Sequence, residues 1–126
     1  LSLIYFFIAV VLGGILLSHK VVEIHPSVWA LLPLHFEMAI WGWIIQFVLG
    51  TAYWMFPRFL KTPKRGSSLA AWYGIILFNA GIITVLLSHL ISSQWLRIPG
   101  RFLILAGIVT FIGLMWGRVV TYRNRN

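Results

Sequence analysis

The chain has 126 residues, of which 60% are hydrophobic and only 10% are charged, and its formal net charge is +8. The low charged fraction and the mean hydropathy of +0.93 exclude an ordinary soluble domain, in which about a quarter of the residues are charged. The absence of cysteine excludes disulfides, iron–sulfur clusters and thiolate metal ligands. The composition predicts an integral membrane protein whose basic loops touch anionic lipid, and it argues against nucleic-acid binding.

Four apolar stretches are each long enough to cross a bilayer. We predict transmembrane helices over about residues 1–18, 33–56, 68–91 and 101–120, packed as one all-α, four-helix bundle with antiparallel neighbours. Short polar loops separate the first helix from the second and the third from the fourth. The chain does not begin with methionine, so whether the first helix is complete stays open.

Lysine and arginine are distributed unevenly between the two ends of this bundle. The end with both termini and the middle loop has seven of them, and the other end has three. The seven are Arg58, Lys61, Lys64, Arg65, Arg118, Arg123 and Arg125; the three are Lys20, Arg97 and Arg101. Since positive residues concentrate on the cytoplasmic side, we predict that both termini are cytoplasmic and that all four histidines lie toward the outside.

Two histidines are predicted to lie at the same depth on neighbouring helices. His35 precedes Pro57 by 22 positions, about 33 Å of helix, and His89 follows Ser68 by 21 positions, about 31 Å. Two imidazoles at equal depth are what axial ligation of a haem iron requires. The alternative is a pair of hydrogen-bonded interfacial histidines without a cofactor.

Other residues near His35 suit the same hypothesis. Ala39 and Gly42 follow His35 by four and seven positions, so small residues share its helix face and leave room for a flat macrocycle. Arg97 and Arg101 lie toward the same side of the membrane and could bind the haem propionates. We therefore include these four residues in the predicted cofactor site.

Glu37 is the only acidic residue within a predicted span. It is two positions from His35, so it projects from a different helix face. One interpretation is a proton acceptor, or a group that orients a ligand. The other is a first-turn carboxylate that the helix dipole favours and water can reach.

His19 and His25 precede the second helix and suggest a second kind of site. Together with His35 and His89 they could form an outer site for copper or zinc. The alternative is that these loop histidines are simply solvated.

The segment from His35 to Arg58 resembles the second transmembrane helix of the catalytic subunit of haem–copper oxygen and nitric oxide reductases. The resemblance is to the C-type branch and its short, four-helix relatives. In that family a histidine near the outer end of this helix binds the low-spin haem, a glycine lies about four turns on, and a proline closes the helix. His35, Gly50 and Pro57 match this pattern.

The resemblance implies a low-spin b-type haem with His35 as an axial ligand, in a bacterial or archaeal cytoplasmic membrane. The family's catalytic subunit has twelve helices in three arcs of four, and its copper ligands and remaining haem ligands lie in helices that are absent here. Oxygen or nitric oxide reduction is therefore not implied. The three arcs also suggest a homotrimer, in which the His35 residues of two neighbours would hold a haem.

These observations predict a b-type cytochrome-like subunit for electron transfer, with a quinol or a cytochrome as redox partner, rather than a self-sufficient enzyme. The haem iron would lie either between His35 and His89 of one chain, which is the arrangement we prefer, or between the His35 residues of two chains. Gly113 and Gly117 form a GxxxG pair that permits self-association. Two alternatives stay open: a cofactor-free accessory subunit of a larger respiratory or photosynthetic complex, and a membrane protein that handles copper or zinc.

Overall fold

The computed structural model describes the backbone of residues 1–55 and 68–123 and the side chains of residues 1–55 and 68–116. This part of the chain is helical apart from short connections. Helix α1 is Ser2–Val21, α2 is Pro26–Met55, α3 is Ser68–Leu90 and α4 is Gln94–Arg123. All four are long and apolar enough to cross a membrane, which confirms the predicted set of spans.

Helix α2 is the least regular of the four. It begins as a 3₁₀ turn over Pro26–Ala30, is α-helical over Leu31–Glu37, widens to a π-helix over Met38–Ile45, and is α-helical again over Gln46–Met55. A π segment has more residues per turn than an α-helix, so it rotates the residues that follow it, and such segments are frequent at functional sites. Helix α2 therefore begins earlier than predicted and presents its second half at a different angle.

Helices α3 and α4 form the most extensive contact, along a seam of glycines. Gly74 and Gly81 of α3 face Gly107 and Gly100 of α4. A Cβ on Gly81 would lie 2.6 Å from the backbone nitrogen of Ile104, so only glycine fits at this position. Small residues allow membrane helices to approach this closely, and their spacing of seven keeps one face of each helix in contact.

The turn between α3 and α4 is shorter than predicted. We expected a polar loop over residues 92–100, but α4 begins at Gln94 and contains Pro99. Ser92 has a φ of 56°, and the Ser93 N–H donates to the Ser88 carbonyl at 3.0 Å. This left-handed residue with a six-to-one hydrogen bond is the pattern that ends many helices. It reverses the chain within three residues and lets α4 start a full turn and a half before Pro99.

The buried core lies between the α3–α4 pair and the N-terminal half of α2. Leu34 of α2 joins a cluster of side chains from α3 and α4. The others are Phe78, Ile82, Val85, Leu86 and Ile104. Helix α1 packs along α2, where Tyr5 and Leu12 border the same cluster. Most remaining apolar side chains face outward, as lipid-exposed surfaces require.

Some predictions concern residues outside the described part of the chain. Pro57, Arg58 and the cations of the middle loop fall there, and so does the environment of Gly117. Gly113 lies within it, and a Cβ at this position would meet no atom within 4 Å. Within the described chain, the close approach of α3 to α4 uses the Gly74–Gly107 and Gly81–Gly100 pairs. Self-association through Gly113 and Gly117 stays a prediction.

Candidate functional site

His35 is held against helix α1 through one ring nitrogen. Its Nδ1 lies 2.8 Å from the carbonyl oxygen of Ala9, so the ring donates its Nδ1 proton to that oxygen. In this tautomer Nε2 has a free lone pair. His35 is partly buried, and no hydrogen bond of its Nε2 to another residue occurs in the described part of the chain.

Gly13 makes this position of the imidazole possible. One helical turn after Ala9, it lies directly beside the ring, and a Cβ there would be 2.9 Å from His35 Cε1 and 3.7 Å from Nε2. Any larger residue would push the ring away from α1. The ring is therefore oriented by a backbone carbonyl and a glycine, neither of which can rearrange easily within a helix.

Glu37 and Arg101 form a two-point ion pair between α2 and α4. Arg101 Nη1 donates to Glu37 Oε2 at 3.0 Å, and Nη2 donates to Oε1. The Glu37 side chain is 11% exposed and that of Arg101 is 40% exposed. The guanidinium also lies over the Trp41 ring, 5.5 Å from its centroid. Bidentate geometry and an aromatic face are the two interactions that favour arginine over lysine.

His89 of α3 completes this cluster. Its Nε2 is 3.8 Å from Glu37 Oε1, is buried, and has no hydrogen-bond partner in the described part of the chain. Glu37, Arg101 and His89 together form what we call the outer charge cluster.

His35 projects from one side of α2, and His89 lies against the opposite side of that helix. His35 faces α1, whereas Glu37, which is about 200° further round the helix, faces α3 and α4 and thereby His89. The structure thus brings His89 to Glu37 and gives His35 a separate environment.

The remaining residues of the predicted haem site are in different surroundings. A Cβ on Gly42 would lie 2.5 Å from Cγ of Tyr5, so the Tyr5 ring already covers that glycine. Ala39 is half-buried and Arg97 is exposed. Arg101, which we expected to meet a propionate, is bound to Glu37.

His19 and His25 have local structural roles. His19 is buried, accepts a hydrogen bond on Nδ1 from the Ile24 N–H at 3.0 Å, and contacts the edge of Trp29. His25 caps the start of α2 by accepting from the Ser27 N–H at 3.2 Å. No group of three histidine or acidic side chains suited to a metal ion occurs among the residues described, which include all four histidines.

Sequence reasoning overlooked one buried polar group, Gln46. It is 6% exposed, and its Oε1 has no hydrogen-bond partner among the described residues. It follows Glu37 by nine positions, about 2.5 turns of α-helix, which would place it on the opposite face. The intervening π segment returns it to the interior. The sequence did contain a signal for this burial. Gln46 is a single amide in an apolar span, and polar residues in such spans usually face protein rather than lipid.

Comparison with known proteins adds no assignment. No protein-family model matches the chain, and neither a characterised protein nor a solved structure matches it. A function must therefore be argued from the geometry of His35, the outer charge cluster and Gln46.

Proposed function

We propose that this chain is a membrane cytochrome-like subunit in which His35 is an axial ligand of a b-type haem. The single observation that carries the proposal is the hydrogen bond from His35 Nδ1 to the Ala9 carbonyl. Histidines that bind metals almost always donate their other ring N–H to a carbonyl or carboxylate, which sets the tautomer and orients the ring. The resemblance of the His35–Arg58 segment to a haem-binding helix supports the same residue.

The second axial ligand is best supplied by another chain. The His35 ring and the His89 ring lie on opposite sides of α2. One iron between them would therefore require both rings to leave their present contacts. His35 is instead only partly buried, and its Nε2 has no hydrogen-bond partner in the described part of the chain. This geometry favours a haem between the His35 residues of two copies over one held by His35 and His89 of a single chain.

Each residue then has a defined task. Ala9 and Gly13 orient the His35 ring, and the exposed Arg97 is the outer cation still available for a propionate. The Glu37–Arg101 pair joins α2 to α4 and cancels the charges of both residues within the bundle. With two imidazole ligands the haem carries one electron and offers no open iron position, which suits electron transfer to or from a quinol or a cytochrome.

The distribution of cations supports cytoplasmic termini. Seven lysine and arginine residues lie on the side of the termini and the middle loop against three on the other side. His35, His89 and the outer charge cluster would then lie in the outer half of a bacterial or archaeal cytoplasmic membrane, the setting that the resemblance implies.

Haem stoichiometry and the spectrum of His89→Ala test the arrangement. We expect one haem for two chains and an unchanged six-coordinate, low-spin spectrum in His89→Ala, because His89 is outside the ligand set. One haem per chain together with a high-spin or lost haem in His89→Ala would instead assign both ligands to one chain.

A cofactor-free accessory subunit is the second candidate, and one observation favours it. Glu37 and Arg101 satisfy each other without any added group, and Tyr5 covers Gly42, so the bundle packs as it stands. Such a subunit would contribute its lipid-facing helices to a larger respiratory or photosynthetic complex. Absence of a Soret band after expression with ample haem would support this candidate and reject the first.

A further inference from the structure

An apolar cavity of about 280 Å³ lies in the half of the bundle away from His35 and His89. It lies between helices α2, α3 and α4 and is half open to its surroundings, where the lining residue Trp72 is exposed. It is lined mainly by apolar and aromatic side chains, among them Leu49, Trp72, Phe78 and Phe111. A cavity of about 150 Å³ holds a benzene ring, so this one has room for a two-ring aromatic molecule.

Gln46 is the buried polar side chain of this cavity, which Tyr53 and Ser68 also line, and it gives the cavity chemical specificity. It lines the cavity, is 6% exposed, and its Oε1 has no hydrogen-bond partner in the described part of the chain. An unsatisfied buried carbonyl oxygen destabilises the fold, so a ligand that donates a hydrogen bond to it recovers stability. Oε1 itself is covered by protein, so the amide must rotate about its terminal torsion, which is broad in glutamine, to present Oε1 to a ligand.

The π segment orients the Gln46 side chain toward the cavity. Without it, Gln46 would project from the opposite face of α2 to Glu37. With it, both residues are buried. Of the residues that line the cavity, Gly50 has no side chain, and a Cβ there would meet no atom within 4 Å, which leaves room for a flat molecule to lie close to the backbone of α2.

We propose that the cavity binds a flat, apolar, membrane-soluble aromatic molecule through one hydroxyl group, which donates a hydrogen bond to Gln46 Oε1. Mainly apolar walls with a few well-placed polar groups are the usual composition of small-molecule sites. The hydroxyl belongs either to a simple phenol or to a hydroquinone, and both present the same donor. The site is separate from His35 and does not depend on haem.

A pair of matched probes tests the role of the hydroxyl. 2-Naphthol carries the donor, whereas 2-methoxynaphthalene has nearly the same shape and can only accept. We expect the purified protein in detergent to bind 2-naphthol about fivefold or more tightly than the methyl ether, as one added hydrogen bond allows. Equal binding of the two probes, or no binding of 2-naphthol, would overturn the proposal.

Variants locate the site. Gln46→Leu should bind both probes equally, and Ala71→Phe, which fills the cavity from α3, should bind neither. Gln94→Leu is the matched control, since it makes the same type of exchange at an exposed position outside the cavity and should keep the wild-type preference. A preference for 2-naphthol that survives in Gln46→Leu, or full binding by Ala71→Phe, would reject this site.

An anaerobic titration with 1,4-naphthohydroquinone separates the two sources of the hydroxyl. Tighter binding than that of 2-naphthol assigns the site to a hydroquinone. Equal or weaker binding, with the Gln46 dependence retained, assigns it to a simple phenol. Loss of the Gln46 dependence with both ligands would overturn the proposal.

Discussion

The pairing of Glu37 with Arg101 should be the strongest polar link between α2 and the α3–α4 pair. Replacing Arg101 with methionine removes both hydrogen bonds and leaves the carboxylate, 11% exposed, with only His89 at 3.8 Å. Breaking a buried ion pair costs about 3–5 kcal/mol, and breaking an exposed one costs about 0–1 kcal/mol. Because the Arg101 side chain is 40% exposed, we expect an intermediate loss of about 2–3 kcal/mol.

Glu37→Gln should cost less, about 1–2 kcal/mol, because Arg101 can turn its charge toward water or lipid headgroups. The double variant should be less destabilised than the sum of the singles, with a coupling energy of about 1–2 kcal/mol. Unfolding of the haem-free protein in mixed detergent micelles, followed by circular dichroism, measures all three.

Arg97→Met is the matched control, one turn earlier on α4 and exposed, and should change stability by no more than about 0.5 kcal/mol. If Arg101→Met costs no more than Arg97→Met, or if the coupling energy is below about 0.5 kcal/mol, the ion pair does not hold α2 in place.

Three further predictions follow from the packing and the charge distribution. Gly81→Ala should destabilise the bundle by about 1–3 kcal/mol in the same unfolding assay, because its Cβ would lie 2.6 Å from a backbone atom. Gly113→Ala, whose Cβ would enter open space, should be neutral or stabilising. Gly13→Ala should weaken haem binding in a haem titration, because its Cβ would displace the His35 ring. Gly14→Ala, whose Cβ would meet nothing within 4 Å, should keep the wild-type affinity for haem, and equal affinities of the two variants would refute the role of Gly13. A cysteine at Ser92 should react with an impermeant thiol reagent from outside the cell and one at Ser67 only from inside, and the reverse pattern would reverse the orientation.

The four spans were predictable because hydropathy and length depend only on local composition. The bounds of α4 were not. Pro99 and Gly100 are typical of a loop, yet the turn formed by Ser92 and Ser93 lets the helix begin at Gln94. Within the helix, Gly100 allows α4 to lie close to α3, because a Cβ at this position would be 2.7 Å from Val85 Cγ2.

The outer charge cluster was predictable only in part. Glu37 was identified as the single acid within a span, and Arg101 was placed near the same membrane face. Their pairing depends on which helices are neighbours and how each is rotated, and no local pattern encodes that rotation. Arg101 was therefore matched with a propionate instead of the carboxylate that it contacts.

Gln46 shows the same limit more sharply. Helical periodicity assumes 3.6 residues per turn. The π segment over Met38–Ile45, directly before Gln46, has more residues per turn, so the assumption fails there. The segment contains one glycine, Gly42, and no proline, and a single glycine does not predict a π-helix. The face that Gln46 presents could therefore be seen only in three dimensions.

The central claim is that His35 binds haem iron, and the reduced-minus-oxidised absorption spectrum of His35→Ala tests it most directly. The wild-type protein and His25→Ala, an exposed histidine that only caps the start of α2, should show the same low-spin haem signal. His35→Ala should lose that signal while keeping its helical circular dichroism and its insertion in the membrane, since insertion depends on the apolar spans. A full low-spin haem spectrum in His35→Ala would contradict the account.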